Sequence, residues 1–325
     1  MSRPIHRRTF LTSATAVAVA AAVPTARAAD APGVGTAFTL PGERAYPEGI
    51  GLDPRTGDAY VGSFTTGAVY RATPGAGAAE VFLPAGTDGR GTTAGLKADR
   101  AGRLWVVGPS AGVDVYDLRT RALLARFEVP GDAARFVNDL AIAPDGTAYV
   151  TDSARGVLYR VTPGDLARAL GGSATLTVYR DLRAALASDP PVTRVFNGIV
   201  ATSRFLLVVD TATGDLVRVD LASGAVCQVS LHGGDLAHGD GLELVRGTLW
   251  AAHNTTNTIS RWRLSADGCA ARLERSVTDT ALQIPTALAH SHGRLLVVRS
   301  QFDKGGPFGP GVPETPFSVA RVAGI

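Results

Sequence analysis

Four polar side chains recur at one phase of a repeat in this 325-residue chain. Each is followed by a small residue and then by Leu or Ile, as in Asn138-Asp139-Leu140. Two are carboxylates and two are carboxamides. Such a set of oxygen donors suits a hard cation such as Ca²⁺, whereas Zn²⁺ prefers His or Cys. The four candidate metal ligands are Glu48, Asn138, Asn197 and Asp240.

The repeat that carries these residues predicts an all-β fold. Counting two further copies that begin at Ala94 and Thr286, the six heads are 46, 44, 59, 43 and 46 residues apart. Short apolar runs and tight turns, such as Pro144-Asp145-Gly146, fill each interval. A period of this length predicts a six-bladed β-propeller with four-stranded blades.

The propeller explains how the four side chains meet. The first strands of all blades run in the same direction along the central channel, so the heads lie at one depth around the axis. A single Asn or Asp before a strand is usually a turn cap. Independent caps, however, have no reason to fall at equivalent positions of four copies.

Segments outside the six copies have their own interpretation. Residues 36–40 and 317–322 read as strands, and we expect the N-terminal one to join the C-terminal blade, which removes exposed edges. Helical patterns over residues 164–169 and 182–187 lie in the 59-residue interval, so they indicate an insertion outside the strand core.

The N-terminus has the pattern of a twin-arginine export signal. Arg7-Arg8 is followed by Phe10-Leu11, a short apolar run, and the small-x-small cleavage pattern Ala26-Arg27-Ala28. We therefore predict a signal peptide over residues 1–28, a propeller domain over 29–325 and a secreted, extracytoplasmic location. An ordinary secretory signal or a retained anchor are the alternatives.

Charge and cysteine content restrict the partners. The first 28 residues hold four of the 32 basic residues and none of the 29 acidic ones, which leaves 28 basic against 29 acidic residues and a formal charge of −1. This balance does not predict nucleic-acid or membrane binding by the mature form, and we expect a monomer acting on a small molecule. In an oxidising compartment Cys227 and Cys269 are favoured as a disulfide, provided that the two outer strands lie within reach.

The four heads, with the segment from Phe136 to Asp139 and the turn at 144–146, resemble the gluconolactonase/regucalcin (senescence-marker protein, SMP-30) family. Diisopropyl fluorophosphatase shares this arrangement, and the resemblance covers residues 44–303. It implies a central divalent cation, usually Ca²⁺, and hydrolysis of lactones or organophosphate-like esters. It also implies that Asp240 doubles as metal ligand and catalytic carboxylate.

Two positions depart from the family pattern. Lactonases of this group often carry Arg two residues before the blade-three Asn, where this chain has Phe136, with Arg135 one residue earlier. Members with a second, structural metal use a blade-six His, where this chain has Thr286. We therefore do not predict that second metal.

The chemistry of the ring also leads to a mechanism without the resemblance. A cation would act as a Lewis acid on a carbonyl or phosphoryl oxygen, and Asp240 is the favoured base or nucleophile. His238, Glu243 and His253 lie near in sequence and could move protons, or could fill structural roles.

Two functions of other classes remain open. One is a non-catalytic, Ca²⁺-stabilised propeller that binds a small ligand or a protein. The other is a propeller of the alkaloid-synthase or antibiotic-lyase type, which would need a catalytic Glu or His beyond the oxygen ring. Fold alone does not separate these functions, because function resides in the site.

Overall fold

The computed structural model describes Met1, residues 33–291 and residues 293–325. The predicted signal peptide and its cleavage pattern lie outside the described residues, apart from Met1. The described chain forms six β-sheets, and the first strands of neighbouring sheets contact one another around a closed ring. This arrangement is a six-bladed propeller and confirms the predicted fold.

Blades 1 and 2 have regular antiparallel cores, and blade 2 gains a fifth, parallel strand on its outer edge. A 3₁₀ turn at Thr87–Gly89 connects the two blades. The strands of blade 1 are β2 Pro47–Leu52, β3 Ala59–Ser63, β4 Val69–Ala72 and β5 Glu80–Leu83. Those of blade 2 are β6 Leu96–Ala98, β7 Arg103–Gly108, β8 Gly112–Asp117 and β9 Leu123–Glu128, with β13 Ser173–Thr175 as the added strand.

Blades 3 and 4 have four strands each, and the long interval between their heads carries both helices and β13. The strands of blade 3 are β10 Val137–Ile142, β11 Ala148–Asp152, β12 Val157–Val161 and β14 Thr177–Asp181. Those of blade 4 are β15 Phe196–Ala201, β16 Phe205–Asp210, β17 Leu216–Asp220 and β18 Val226–Gln228.

Blade 5 again has an added parallel strand, β19 Ser230–His232. Its core strands are β20 Gly239–Val245, β21 Thr248–His253, β22 Thr258–Leu264 and β23 Ala270–Thr278, and a 3₁₀ turn at Thr280–Leu282 follows. Blade 6 consists of β24 Pro285–Ser291, β25 Arg294–Arg299, β26 Ser318–Ala323 and β1 Gly33–Thr39. The N-terminal strand thus closes the C-terminal blade as predicted, although it begins before residue 36.

Local sequence signals explain the helices. Helix α1, Pro163–Ala169, starts with Pro in its first turn and with a reciprocal capping box between Thr162 and Asp165. Helix α2, Leu182–Ala185, is shorter than the predicted segment and is capped by Asp181. The helical segments therefore occur where the sequence indicates them.

The apolar core is divided into six layers, one between each pair of neighbouring blades. Third-strand aromatic side chains lie in these layers, as expected from their alternation with polar residues: Tyr70, Tyr116, Tyr159 and Trp262. Because each blade presses one apolar face on each neighbour, the ring holds every first strand at a fixed distance from the axis.

The structure also shows the state of the two cysteines and the length of the helices. Cys227 on β18 and Cys269 before β23 are exposed free thiols, so the disulfide favoured from the sequence is not formed in the structure. The two thiols lie near each other, since burial and the charges of Asp267 and Cys227 raise the pKa of Cys269, but their Sγ atoms are not bonded, and a disulfide requires a specific Cα spacing and Cβ orientation. In the part of the chain that the structure describes, no helix is long and apolar enough to cross a membrane.

Candidate metal centre

The predicted ligands lie on β-bulges at the start of the first strands. The pairing of β2 with β3 shifts register between Pro47 and Ile50, and β10 with β11 shifts between Val137 and Leu140. The same shift occurs at the heads of blades 4, 5 and 6. A bulge inserts one residue and re-aims the side chains beside it. The repeat therefore presents its head residues at one level of the channel.

Hydrogen bonds between blades fix that level. Thr286 Oγ1 donates to the carbonyl oxygen of Glu48 over 2.7 Å and joins blade 6 to blade 1. The amide of Gly95 donates to the carbonyl oxygen of Asn138 over 2.8 Å and joins blade 2 to blade 3. Ala94 and Thr286 are the heads without a ligand-type side chain. The segments that carry them therefore help to position Asn138 and Glu48.

Close approach of the first strands explains the small residue after each head. A Cβ atom on Gly198 would lie 2.1 Å from the carbonyl oxygen of Asp240, and one on Gly49 would lie 2.5 Å from that of Ala94. Real Cβ atoms do not approach carbonyl oxygens so closely. The glycines therefore bring the heads of neighbouring blades together.

The structure buries all four predicted ligands and links them. Asn197 and Glu48 both lie near enough to Asp240 to interact with its carboxylate. Asn138 donates its Nδ2 to Ser153 Oγ over 3.0 Å, which leaves its amide oxygen as an acceptor. Their exposed fractions are 9% for Glu48, 6% for Asn138, 9% for Asn197 and 6% for Asp240.

Burial and like charge disturb both carboxylates. Burial raises the pKa of Asp240 to about 7, with a further increase from the charge of Asp139, while hydrogen bonds from Asn254 and Asn197 oppose it. Burial raises the pKa of Glu48 well above its usual value, and the charges of Asp240 and Asp139 raise it further. Two neighbouring acids that ionise only at a raised pH, because no positive charge compensates them, indicate a cation-binding site.

The donor set fits a divalent cation with oxygen chemistry. Two carboxylates and two amide oxygens, buried at one level, match the mixed ligands that Ca²⁺ accepts, and its remaining coordination positions would be taken by water or substrate. Among the described residues no group of three or more His, Cys, Asp or Glu side chains forms a metal site. The ring does not depend on such a group, since half of its donors are amides.

The three candidate proton carriers occupy different surroundings. Only 7% of the His253 surface is exposed to solvent. Both ring nitrogens are hydrogen-bonded, Nδ1 to the Ala237 carbonyl oxygen at 2.8 Å and Nε2 to Ser260 Oγ at 2.7 Å. His238 is exposed and precedes the Asp240 bulge in a left-handed conformation, with φ of 59°. Glu243 lies farther along the channel, where its Oε1 accepts the amide of His290 at 3.1 Å. The contacts of His253 are those of a structural histidine.

Sequence reasoning missed the side chains that orient the ring. Asn254 Nδ2 donates to Asp240 Oδ2 over 2.9 Å. Ser153 holds Asn138 and also donates to the carbonyl oxygen of Phe196 over 2.6 Å. Asn254 and Ser153 each follow the last residue of a second strand, so they occupy one phase of the repeat. Comparing the copies at that phase would have found them.

Buried aspartates support the segments just before two heads. Asp152 Oδ1 accepts the amide of Phe136 at 3.1 Å, and Asp210 Oδ1 accepts the amide of Val195 at 2.9 Å. Both are the last residues of their second strands. Each second strand thus fixes the start of the adjacent first strand, and through it the position of the candidate Asn ligand.

Solved structures share this architecture. A gluconolactonase from Xanthomonas campestris, described as important in glucose secondary metabolic pathways, aligns at 18% identity over 89% of each chain with a TM-score of 0.60. A putative gluconolactonase from a structural genomics consortium aligns at 16% identity over 90% of this chain and 92% of that one, with a TM-score of 0.58. Virginiamycin B lyase from Staphylococcus aureus aligns at 12% identity over 90% of this chain and 99% of that one, with a TM-score of 0.58.

These similarities establish the fold. They confirm the likeness to gluconolactonase propellers at the level of the six-bladed architecture. No protein-family model and no curated protein matches the chain. Because a lyase shares the same architecture, the chemistry has to be argued from the ring itself.

Proposed function

We propose that this protein is an exported, metal-dependent hydrolase of lactones or related esters. Ca²⁺ is the favoured cation, and Asp240 is the base or nucleophile. The observation that carries the proposal is the buried ring, in which two carboxylates with raised pKa values share one level of the channel with two carboxamides. The fold that the chain shares with gluconolactonases supports this reaction class.

The ring residues have separate roles in this proposal. Glu48, Asn138, Asn197 and Asp240 would hold the cation, and a bound cation would supply Lewis acidity toward a carbonyl or phosphoryl oxygen. Asp240 removes a proton from an attacking water or attacks the electrophile itself. The Asn254 amide, which donates a hydrogen bond to Asp240 Oδ2, fixes the orientation of that carboxylate during either step.

A substrate screen tests the reaction class. Metal-free protein is assayed with γ- and δ-lactones, aryl esters, organophosphates and a cyclic depsipeptide, with Ca²⁺, Mg²⁺, Mn²⁺ or Zn²⁺ restored in separate reactions. We expect ester or lactone hydrolysis that chelator abolishes and Ca²⁺ restores. Elimination rather than hydrolysis of the depsipeptide would indicate a lyase. Ca²⁺ binding without turnover of any substrate would favour the non-catalytic binding propeller.

The proposed location rests on the sequence of the N-terminus. Twin-arginine export carries folded proteins, so the cation could be bound before transport. Changing Arg7 and Arg8 together to Lys is expected to retain the protein inside the cell, whereas Arg3→Lys, outside the pair, leaves export unchanged. Cell fractionation with detection of the mature chain makes the comparison, and full export of the double variant would refute the proposal.

A further inference from the structure

Three charged side chains lie in the channel beneath the ring. Lys97 on β6 and Glu243 on β20 line one cavity of about 480 Å³, together with Gly51 and His290. Asp139 on β10 also faces the channel. Its Oδ1 lies 2.3 Å from the position that a Cβ atom would take on Gly95. Gly95 is two residues before Lys97, on the same side of the chain in extended backbone.

Neutral groups provide the direct hydrogen bonds of the two acids. Asp139 accepts the amides of Leu140 at 2.8 Å and Ile199 at 3.3 Å. Glu243 accepts the amide of His290 at 3.1 Å. Burial raises the pKa of the Glu243 carboxyl, and the charge of Lys97 lowers it. One ammonium therefore shares the channel with carboxylates from two other blades.

We propose that Lys97 is the built-in counter-ion of the channel, which balances Asp139 and Glu243 and thereby limits the affinity of the ring for its divalent cation. This inference rests on the metal centre of the proposed function. It assigns Lys97 as a positioning residue, because the ammonium acts on the ring through its field.

A fixed positive charge has opposite effects on the two states of the protein. In the metal-free protein it compensates the part-buried carboxylates of Asp139 and Glu243, which are costly to leave unpaired. In the metal-bound protein it repels the dication, and Coulomb interactions are strong in a channel of low dielectric. Removing the charge should therefore destabilise the metal-free protein and tighten cation binding. Loss of a purely structural side chain would instead weaken both.

The test compares the two lysines of the chain. Lys97→Met removes the channel charge, and Lys304→Met removes an exposed partner of Glu314 as the matched control. Metal-free proteins are titrated with CaCl₂ by calorimetry and melted with and without Ca²⁺. For Lys97→Met we expect a Ca²⁺ dissociation constant about tenfold lower and a melting temperature of the metal-free form lower by a few degrees. Lys304→Met and Lys97→Arg should keep the parental affinity.

A second variant keeps the inference testable if Lys97→Met does not fold. Glu243→Gln removes an acid from the same cavity, so it should weaken Ca²⁺ binding, the reverse of the Lys97→Met effect. Unchanged or weaker binding by folded Lys97→Met, or unchanged or tighter binding by Glu243→Gln, overturns the inference. A parent protein that binds no Ca²⁺ would refute the metal centre itself and this inference with it, which is a distinct result.

Discussion

Asp240 combines three properties that rarely coincide on one carboxylate. It is buried, it faces a second buried acid, and its Oδ2 is held by the Asn254 amide. The pKa near 7 in the metal-free protein shows how poorly the surroundings tolerate the charge without a cation. Glu48 shares the burial and the raised pKa, whereas the hydrogen bond from Asn254 orients the carboxylate of Asp240. Asp240 is therefore the better candidate for proton transfer.

Asp240→Asn should keep an oxygen near the cation yet remove the base or nucleophile. Positioned proton transfer typically contributes ~10²–10⁴-fold, so we expect kcat at saturating Ca²⁺ to fall by that factor or more. The measurement uses the best substrate of the screen, with Asp220→Asn at an outer turn as control. Turnover within a few-fold of the parent would make Asp240 a ligand only and would direct the search for the base to His238 and Glu243.

His253 provides a pH dependence of stability. Burial lowers the pKa of His253 below its ordinary value of 6.5, so the folded state holds a neutral ring where the unfolded state already binds a proton. The contribution of His253 to the unfolding free energy should therefore be complete above about pH 6.5 and should fall as the pH drops below it, by up to about 1.4 kcal/mol per pH unit. The raised pKa values of Asp240 and Glu48 act in the opposite direction in the metal-free protein, so the effect of His253 is the difference between the parent and a His253 variant.

Chemical denaturation between pH 5 and 8 measures this effect. His253→Gln should flatten the decrease below pH 6.5, whereas His232→Gln, at an exposed position, should leave it in place. An identical profile for the parent and His253→Gln would show that other groups cause the decrease.

At the scale of the elements, the bulges and the ends of the second strands together build the site. The bulge turns Asn138 toward the channel, and Ser153 at the end of β11 holds its amide. Ser153 also bonds to the carbonyl oxygen of Phe196 and so ties blade 3 to blade 4 beside the Asn197 head. A single hydroxyl thus fixes the positions of two candidate ligands relative to each other.

Ser153→Ala should therefore act on the metal more than on the chemistry. Losing the buried hydroxyl costs about 1–3 kcal/mol of stability, and the loosened Asn138 should weaken Ca²⁺ affinity several-fold while kcat at saturating Ca²⁺ stays near the parental value. Ser223→Ala, which removes a turn hydroxyl bonded to Asp220, is the matched control. A lower kcat at saturating Ca²⁺ would contradict this assignment and place Ser153 in the reaction itself.

Some of the structural elements could be predicted from the sequence, and others could not. The turn at Pro144-Asp145-Gly146 and the capped helix α1 were predictable, because their signals lie within a few neighbouring residues. The added strands β13 and β19 could not be predicted, since each pairs in parallel with a strand distant in sequence. The bulges could not be predicted either, because the alternation of polar and apolar residues does not reveal a one-residue register shift.

At the scale of the whole molecule, ring closure holds the centre together. Six apolar layers and the pairing of β1 with β26 leave each first strand between two neighbours. The repeat predicted the ring and the four polar head residues that the structure buries at one level of the channel, because both depend on a regular spacing. Lys97, Asp139 and Glu243 were not recognised as one cluster, since they come from three blades and differ in residue type.

The measurement that tests the central claim most directly is a calorimetric titration of the metal-free protein with Ca²⁺. The parent should bind one Ca²⁺ per chain, and Glu48→Gln or Asn138→Ala should each weaken binding by about tenfold or more, since each removes a charge or a donor from the ring. Gln283→Ala, at an exposed contact with Glu314, is the control and should bind as the parent does. A parent that binds no Ca²⁺, or ring variants that bind it as tightly as the parent, would contradict the metal centre.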